Sequence, residues 1–168
     1  MSIDLKNLEI ETQLVQSLEE FEDYLLEHEE TFLTPGENLA VMIDTHNVDH
    51  AILLLSQMTY SRVPVVTADK KFVGTISLTD IMSYRMRHDL PEEEFMMTDI
   101  VHMTKMDDLT VGPDYTVSDV LHKLVDESFL PVVGEDQHFY GIITRKSILK
   151  AVNSLLHGFS KQYEIRKK

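Results

Sequence analysis

Apolar positions along the chain follow two periods, and the periods alternate twice in the same order. Val48, Ala51, Ile52, Leu55 and Met58 recur at helical spacing and predict a helix over roughly 48–58. An apolar strand, RVPVV (62–66), a polar turn, TADKK, and a second strand, FVGTIS (72–77), come next, and a helix opens at LTDIM. The series returns 67 residues later as FLPVV (129–133), GEDQH, FYGIIT (139–144) and a helix opening at RKSIL. Ahead of it, Val117, Val120, Leu121, Leu124 and Val125 form a second helical stripe, with Thr116 as N-cap and Asp119 three residues on. The first copy's helix reads about two residues longer.

Each copy is therefore (strand)–helix–strand–strand–helix over about fifty residues, too small to close a good core alone, so two copies are expected to pack together. The fold class is α/β (α+β). The expected organisation is an acidic helical segment over 1–31, a first repeat over 32–88, a connector over 89–106, a second repeat over 107–156 and a basic tail over 157–168. In the first segment Leu14, Val15, Leu18, Phe21, Leu25 and Leu26 alternate with acids and predict a helix over 10–30. In the connector Pro91 ends the preceding helix, and a short amphipathic helix follows it.

Charge changes the picture more than composition does. The 168 residues carry a net charge of -14, which argues against unspecific binding to nucleic acid or anionic membrane. No apolar run approaches the roughly 18 residues of a membrane span, the acidic N-terminus does not read as a signal peptide, and the absence of cysteine suits a reducing cytoplasm. Yet the charge is uneven. Residues 1–30 hold ten acids against Lys6 alone, whereas 145–168 hold seven bases and Glu164.

The strand–helix junctions are where the two copies part. Gly74 matches Gly141 and Ser77 matches Thr144, but Leu78-Thr79-Asp80 is replaced by Arg145-Lys146-Ser147. A hydroxyl at a helix start, with unpaired backbone N–H groups behind it, suits an anion. It equally suits local capping, and for Ser77 with Asp80 both readings stay open. Cations in a first turn oppose the helix dipole, so Arg145 and Lys146 favour anion binding over a solvated surface.

Val63-Pro64-Val65-Val66 with Gly74-Thr75-Ile76-Ser77-Leu78-Thr79-Asp80, and Leu130-Pro131-Val132-Val133 with Gly141-Ile142-Ile143-Thr144, resemble the CBS domain, a ligand-sensing unit that occurs in pairs as the Bateman module. The resemblance covers roughly residues 32–155. It implies two units about a pseudo-twofold axis, with clefts built from both copies. One cleft would combine Asn38, Leu39, Ala40, Tyr60, Ser61, Arg62 and Pro64 with Thr144, Arg145, Lys146 and Ser147. The weaker opposite cleft would use Ser77 and Asp80, with Phe129 crowding it.

In adenosine-nucleotide-binding members the Asp accepts from the ribose hydroxyls. A 3′,5′-linked cyclic dinucleotide has no free diol, so exchanging that Asp for Ser147 and adding cations fits a ligand with two phosphodiesters. Stretches ENLAVMI, VDHAILLLSQMTYSRVPVV and GIITRKSILK are similar to the stand-alone tandem-CBS cyclic-di-AMP receptors of the CbpB or DarB type. That resemblance implies a non-enzymatic, cytoplasmic, homodimeric receptor for cyclic di-AMP, with contacts at Ala40, Tyr60 and Arg145. It also implies a (p)ppGpp synthetase/hydrolase partner released by the ligand. Two alternatives remain: an AMP, ADP or ATP sensor using Ser77 and Asp80, and a ligand-free interaction scaffold.

No nucleophile–base arrangement or cofactor motif is present, so no catalytic residue and no cofactor is expected. His46 and His50 lack the carboxylate of a zinc motif and read as surface or capping residues, with no metal expected. Met96, Met97, Met103 and Met106 in the connector read as adaptable packing.

Overall fold

The computed structural model describes residues 5–107 and 109–162. Helix α1 (Leu5–Glu27) leads to strands β1 (Leu33–Pro35) and β2 (Met42–Ile43), helix α2 (Val48–Gln57), strands β3 (Arg62–Val66) and β4 (Phe72–Ser77), and helix α3 (Leu78–Arg87). Helix α4 (Glu92–Met97) follows Pro91, as the amphipathic stretch predicts. The second repeat supplies α5 (Val117–Lys123), β5 (Phe129–Val133), β6 (Phe139–Thr144) and α6 (Arg145–Gln162). The expected basic tail lies outside the described residues beyond Gln162, as do the first four residues of the acidic segment.

The chain forms two compact units that interleave its segments. One comprises residues up to Leu33, Asp114–Phe129 and the residues from Ile143 on; the other comprises Thr34–Pro113 and Leu130–Ile142. In the latter, β2 runs parallel to β3 through Met42↔Val65, and β3 runs antiparallel to β4 with Arg62 opposite Ser77 and Pro64 opposite Thr75. The second sheet has the order β1-β6-β5. Its lead-in strand in the second copy shrinks to a single parallel bridge, Val111↔Val132.

The core of this unit is built from Met42, Val48, Ala51, Leu55, Val63, Val65, Ile76, Ile81, Phe95, Ile100 and Met103. Burying each such side chain contributes about 1.5–3 kcal/mol. Asn47 caps α2 by accepting from the His50 N–H. The connector is stitched onto the first repeat: Val48 donates to Thr98, Ile100 to His46 and Val101 to Asp44. Of its methionines, Met103 is buried and Met96 half-buried, while Met97 and Met106 are exposed.

Two segments cross-link the repeats inside this unit. Lys105, just before the second repeat, exchanges both backbone hydrogen bonds with Thr75 of β4, at 2.8 and 2.9 Å. β1, at the start of the first repeat, lies beside β6 of the second. Both crossings pass over the repeat's glycine. A Cβ on Gly74 would stand 2.0 Å from the Lys105 carbonyl oxygen, and one on Gly141 (φ +156°) 2.2 Å from that of Thr34.

The other unit packs α1, α5 and α6. Leu25, Phe32, Tyr115, Val117, Val120, Leu124, Ile148, Ala151 and Leu155 are buried. One expectation needs correction here. Val125 is 70% exposed, because α5 stops at Lys123 and only Leu124 continues the buried stripe. The helix expected over 10–30 is present as α1, and on it Val15 and Leu18 are exposed. Near its C-terminal end that helix reaches α5, where the Glu22 carboxylate accepts from the Val117 N–H at 2.6 Å. The Leu14 side chain lies outside the described set.

Gly74→Ala should destabilise the protein by about 3 kcal/mol, since the clash is with backbone and no rotamer relieves it. Urea denaturation of wild type and variant measures this.

Candidate ligand site

Both strand–helix junctions are capped, with different chemistry. At Ser77 the hydroxyl accepts from the Asp80 N–H at 3.2 Å, and the Asp80 carboxylate accepts from the Ser77 N–H at 2.8 Å, a reciprocal capping box. At Thr144 the box survives without the acid. Thr144 Oγ1 accepts from the Ser147 N–H at 3.0 Å, and Ser147 Oγ accepts from the Thr144 N–H at 3.1 Å. The Ser147 hydroxyl then donates to the Phe32 carbonyl at 2.8 Å, which a carboxylate could not do. The sequence showed the loss of the acid but not this replacement.

The cations of the two copies differ just as sharply. Arg62, at the start of β3, is neutralised inside its own unit. One guanidinium nitrogen stands 2.9 Å from the Asp80 carboxylate and 3.4 Å from Ser77 Oγ, while the other donates to Thr75 Oγ1 at 2.9 Å. The structure thus brings Arg62 to Ser77 and Asp80, the residues assigned from sequence to the weaker cleft. Strand register explains it, since Arg62 faces Ser77 directly.

Arg145 is held only by carbonyls among the described residues. Its guanidinium donates to Leu124 at 2.7 Å, Val125 at 3.1 Å and Glu127 at 2.7 and 3.1 Å, closing the C-terminal end of α5. Carbonyl dipoles orient the group while leaving its full charge uncompensated. Arg145, Lys146 and Lys150 line a shallow hollow of about 560 Å³ with Ser128, Leu149 and Asn153. Lys150 and Asn153 were not singled out in the sequence. They join because they follow Lys146 and Leu149 by one helical turn.

The remaining sequence-predicted residues fall as follows. Tyr60 is 60% exposed in the loop between α2 and β3, with Ser61 exposed beside it. Asn38, the last residue of a 3-10 turn (Gly36–Asn38), and Ala40 beyond it are exposed, and Leu39 is half-buried. Pro64 is buried within β3, and Phe129 is half-buried at the start of β5.

Two further titratable groups sit in ordered surroundings. The Tyr115 hydroxyl donates to the Glu29 carboxylate, and burial with that neighbouring charge pushes the phenol above its usual range. His46 stacks edge-on against His50 with ring centroids 4.4 Å apart. Burial, then the repulsion of His50, lowers its pKa below 6.5 against a weaker opposing pull from Asp44. Among the described residues no group of three His, Cys, Asp or Glu could hold a metal ion.

The lowered His46 pKa fixes a sign. As pH falls through 6.5 the unfolded chain takes up a proton that the folded chain resists, so stability is lost toward acid. The urea midpoint should drop between about pH 7.5 and about pH 5.5, and His46→Gln should reduce that drop.

The CBS domain model matches residues 37–87 and 93–154. A CBS domain protein from Streptococcus pneumoniae TIGR4 is 69% identical, with 90% of this chain and 99% of that one covered and a TM-score of 0.78. A crystal structure of CbpB in complex with c-di-AMP is 48% identical over 89% of this chain and 99% of that one, with a TM-score of 0.79. Cyclic di-AMP receptor B of Bacillus subtilis (strain 168) is 24% identical over 139 residues, 77% of this chain and 89% of that protein. The tandem match, together with two capped strand–helix junctions on paired sheets, places the chain in the CBS-domain family, as a tandem-CBS protein of the CbpB type.

Proposed function

We propose that this chain is a cyclic di-AMP receptor. The observation that carries the reading is the contrast between the two junctions: Arg62 is neutralised by Asp80, whereas Arg145 and Lys146 stand at a junction whose acid is replaced by Ser147. An uncompensated guanidinium, already oriented by carbonyls, suits a phosphodiester and needs little reordering to bind it. Lys146 adds a second positive charge, and the exposed Tyr60 ring offers a stacking face for adenine. CbpB, 48% identical, has been crystallised with c-di-AMP, which supports the same ligand here. Ala40, Asn38, Leu39 and Ser61 are proposed as further contacts.

The receptor acts without catalysis, as a cytoplasmic homodimer, by gating a protein partner. Resemblance to the stand-alone receptors names that partner as a (p)ppGpp synthetase/hydrolase. The adenosine-nucleotide alternative would have to use an Asp80 carboxylate of which one oxygen, Oδ2, already accepts from Arg62, Ser77 Oγ and the Ser77 N–H.

Isothermal titration with cyclic di-AMP, AMP and ATP tests this. Cyclic di-AMP should bind and, at about 100 times its dissociation constant, add about 2.7 kcal/mol to the unfolding free energy. Heat with ATP but none with the dinucleotide would overturn the reading. Arg145→Ala should weaken binding on the order of 100-fold, the scale of one lost charge-assisted contact pair. Ser147→Asp should weaken it too, through repulsion of the phosphodiester and through loss of the hydrogen bond to the Phe32 carbonyl. A pull-down of the (p)ppGpp enzyme should succeed without cyclic di-AMP and fail with it.

A further inference from the structure

Asp80 is the acid that one repeat keeps and the other lacks, and its carboxylate is already committed. One oxygen, Oδ2, receives the Ser77 N–H at 2.8 Å, the Ser77 hydroxyl at 2.6 Å and the Arg62 guanidinium at 2.9 Å. Capping alone would need only the first of these. The third reaches back across the sheet to the first residue of β3, where Arg62 also grips Thr75. Both side chains of the ion pair are mostly shielded, at 27% and 23% exposed, so solvent screens it less than a surface pair.

The segment just before Arg62 has little else to hold it. Thr59, Tyr60 and Ser61 are exposed, and the turn leaving α2 carries one long bond, Met58 N–H to Leu55 at 3.4 Å. Among the described residues neither Tyr60 nor Ser61 makes a hydrogen bond. The loop that presents Tyr60 is therefore fixed at its far end by the pairing of Arg62 with Ser77 in the sheet and by the grip of Asp80 on the guanidinium.

We infer that Asp80 is a positioning residue: it anchors Arg62, and through Arg62 the Tyr60–Ser61 loop end, rather than touching the ligand. This rests on the reading of Tyr60 as a ligand contact. It gives the retained acid a task in the first repeat that the second repeat does not need. There Phe129 stands where Arg62 would, and Ser147 suffices for the cap.

A double-mutant cycle with Asp80→Asn and Arg62→Gln tests the inference. Asparagine keeps an oxygen for the Ser77 N–H and removes the charge that holds Arg62. In the ligand-free protein, hydrogen exchange across residues 58–62 should accelerate in Asp80→Asn while β4 stays protected, a local signature that a general loss of stability would not give. Each single variant should weaken cyclic di-AMP binding about tenfold, and the double variant should bind no worse than Arg62→Gln alone, because the pair acts as one device. Unchanged loop exchange with wild-type affinity in Asp80→Asn would reduce Asp80 to a cap and sink the inference, as would affinity losses that add. If the wild type gives no heat with cyclic di-AMP, the receptor reading falls, and the exchange data alone decide whether Asp80 and Arg62 hold the loop.

Discussion

A strand that turns straight into a helix must satisfy the helix's first N–H groups within the turn itself, and that demand shapes both repeats. Ser77 and Thr144 sit at these turns, each paired reciprocally with the residue three positions on. The sheets, and the helices that shield them, follow from this geometry. So does chemistry: a capped turn presents its first helical residues to solvent in a fixed orientation, whichever side chains they carry.

One scaffold can therefore hold two electrostatic states. In the first repeat a cation and an acid cancel locally and the turn is turned inward on its own sheet. In the second, Arg145 draws its hydrogen bonds from carbonyls and keeps its charge, with Lys146 and Lys150 alongside. A chain of net charge -14 repels anions at a distance, so capture depends on such a cluster acting at close range, within roughly the 8–10 Å over which salt screens charge.

Much of this was legible from pattern alone. The repeat, the strand starts at 62, 72, 129 and 139, and the helix after Pro91 all follow from local periodicity and breakers, which act over a few residues. What escaped was set by register or by termination. Arg62 and Asp80 are eighteen positions apart, and only the pairing of Arg62 with Ser77 makes them neighbours. Val125 fits the apolar stripe of α5, but the helix ends before reaching it. Val15 and Leu18 mark a helix by their spacing, but spacing does not say that both are exposed on it. Ser147 reads as a loss until its hydroxyl is seen doing what Asp80 does for the cap and also donating to Phe32.

The crossings at Gly74 and Gly141 carry a wider implication. The strand that opens the first repeat completes the sheet of the second, and the segment leading into the second is bonded to the sheet of the first. Each repeat thus lends its leading arm to its sibling. A gene fragment encoding one repeat would yield a sheet edge with no lender, and it could restore that edge only by borrowing the arm of another molecule. Duplication in tandem converts an exchange between chains into one within a chain, and afterwards neither half can be lost without exposing the other.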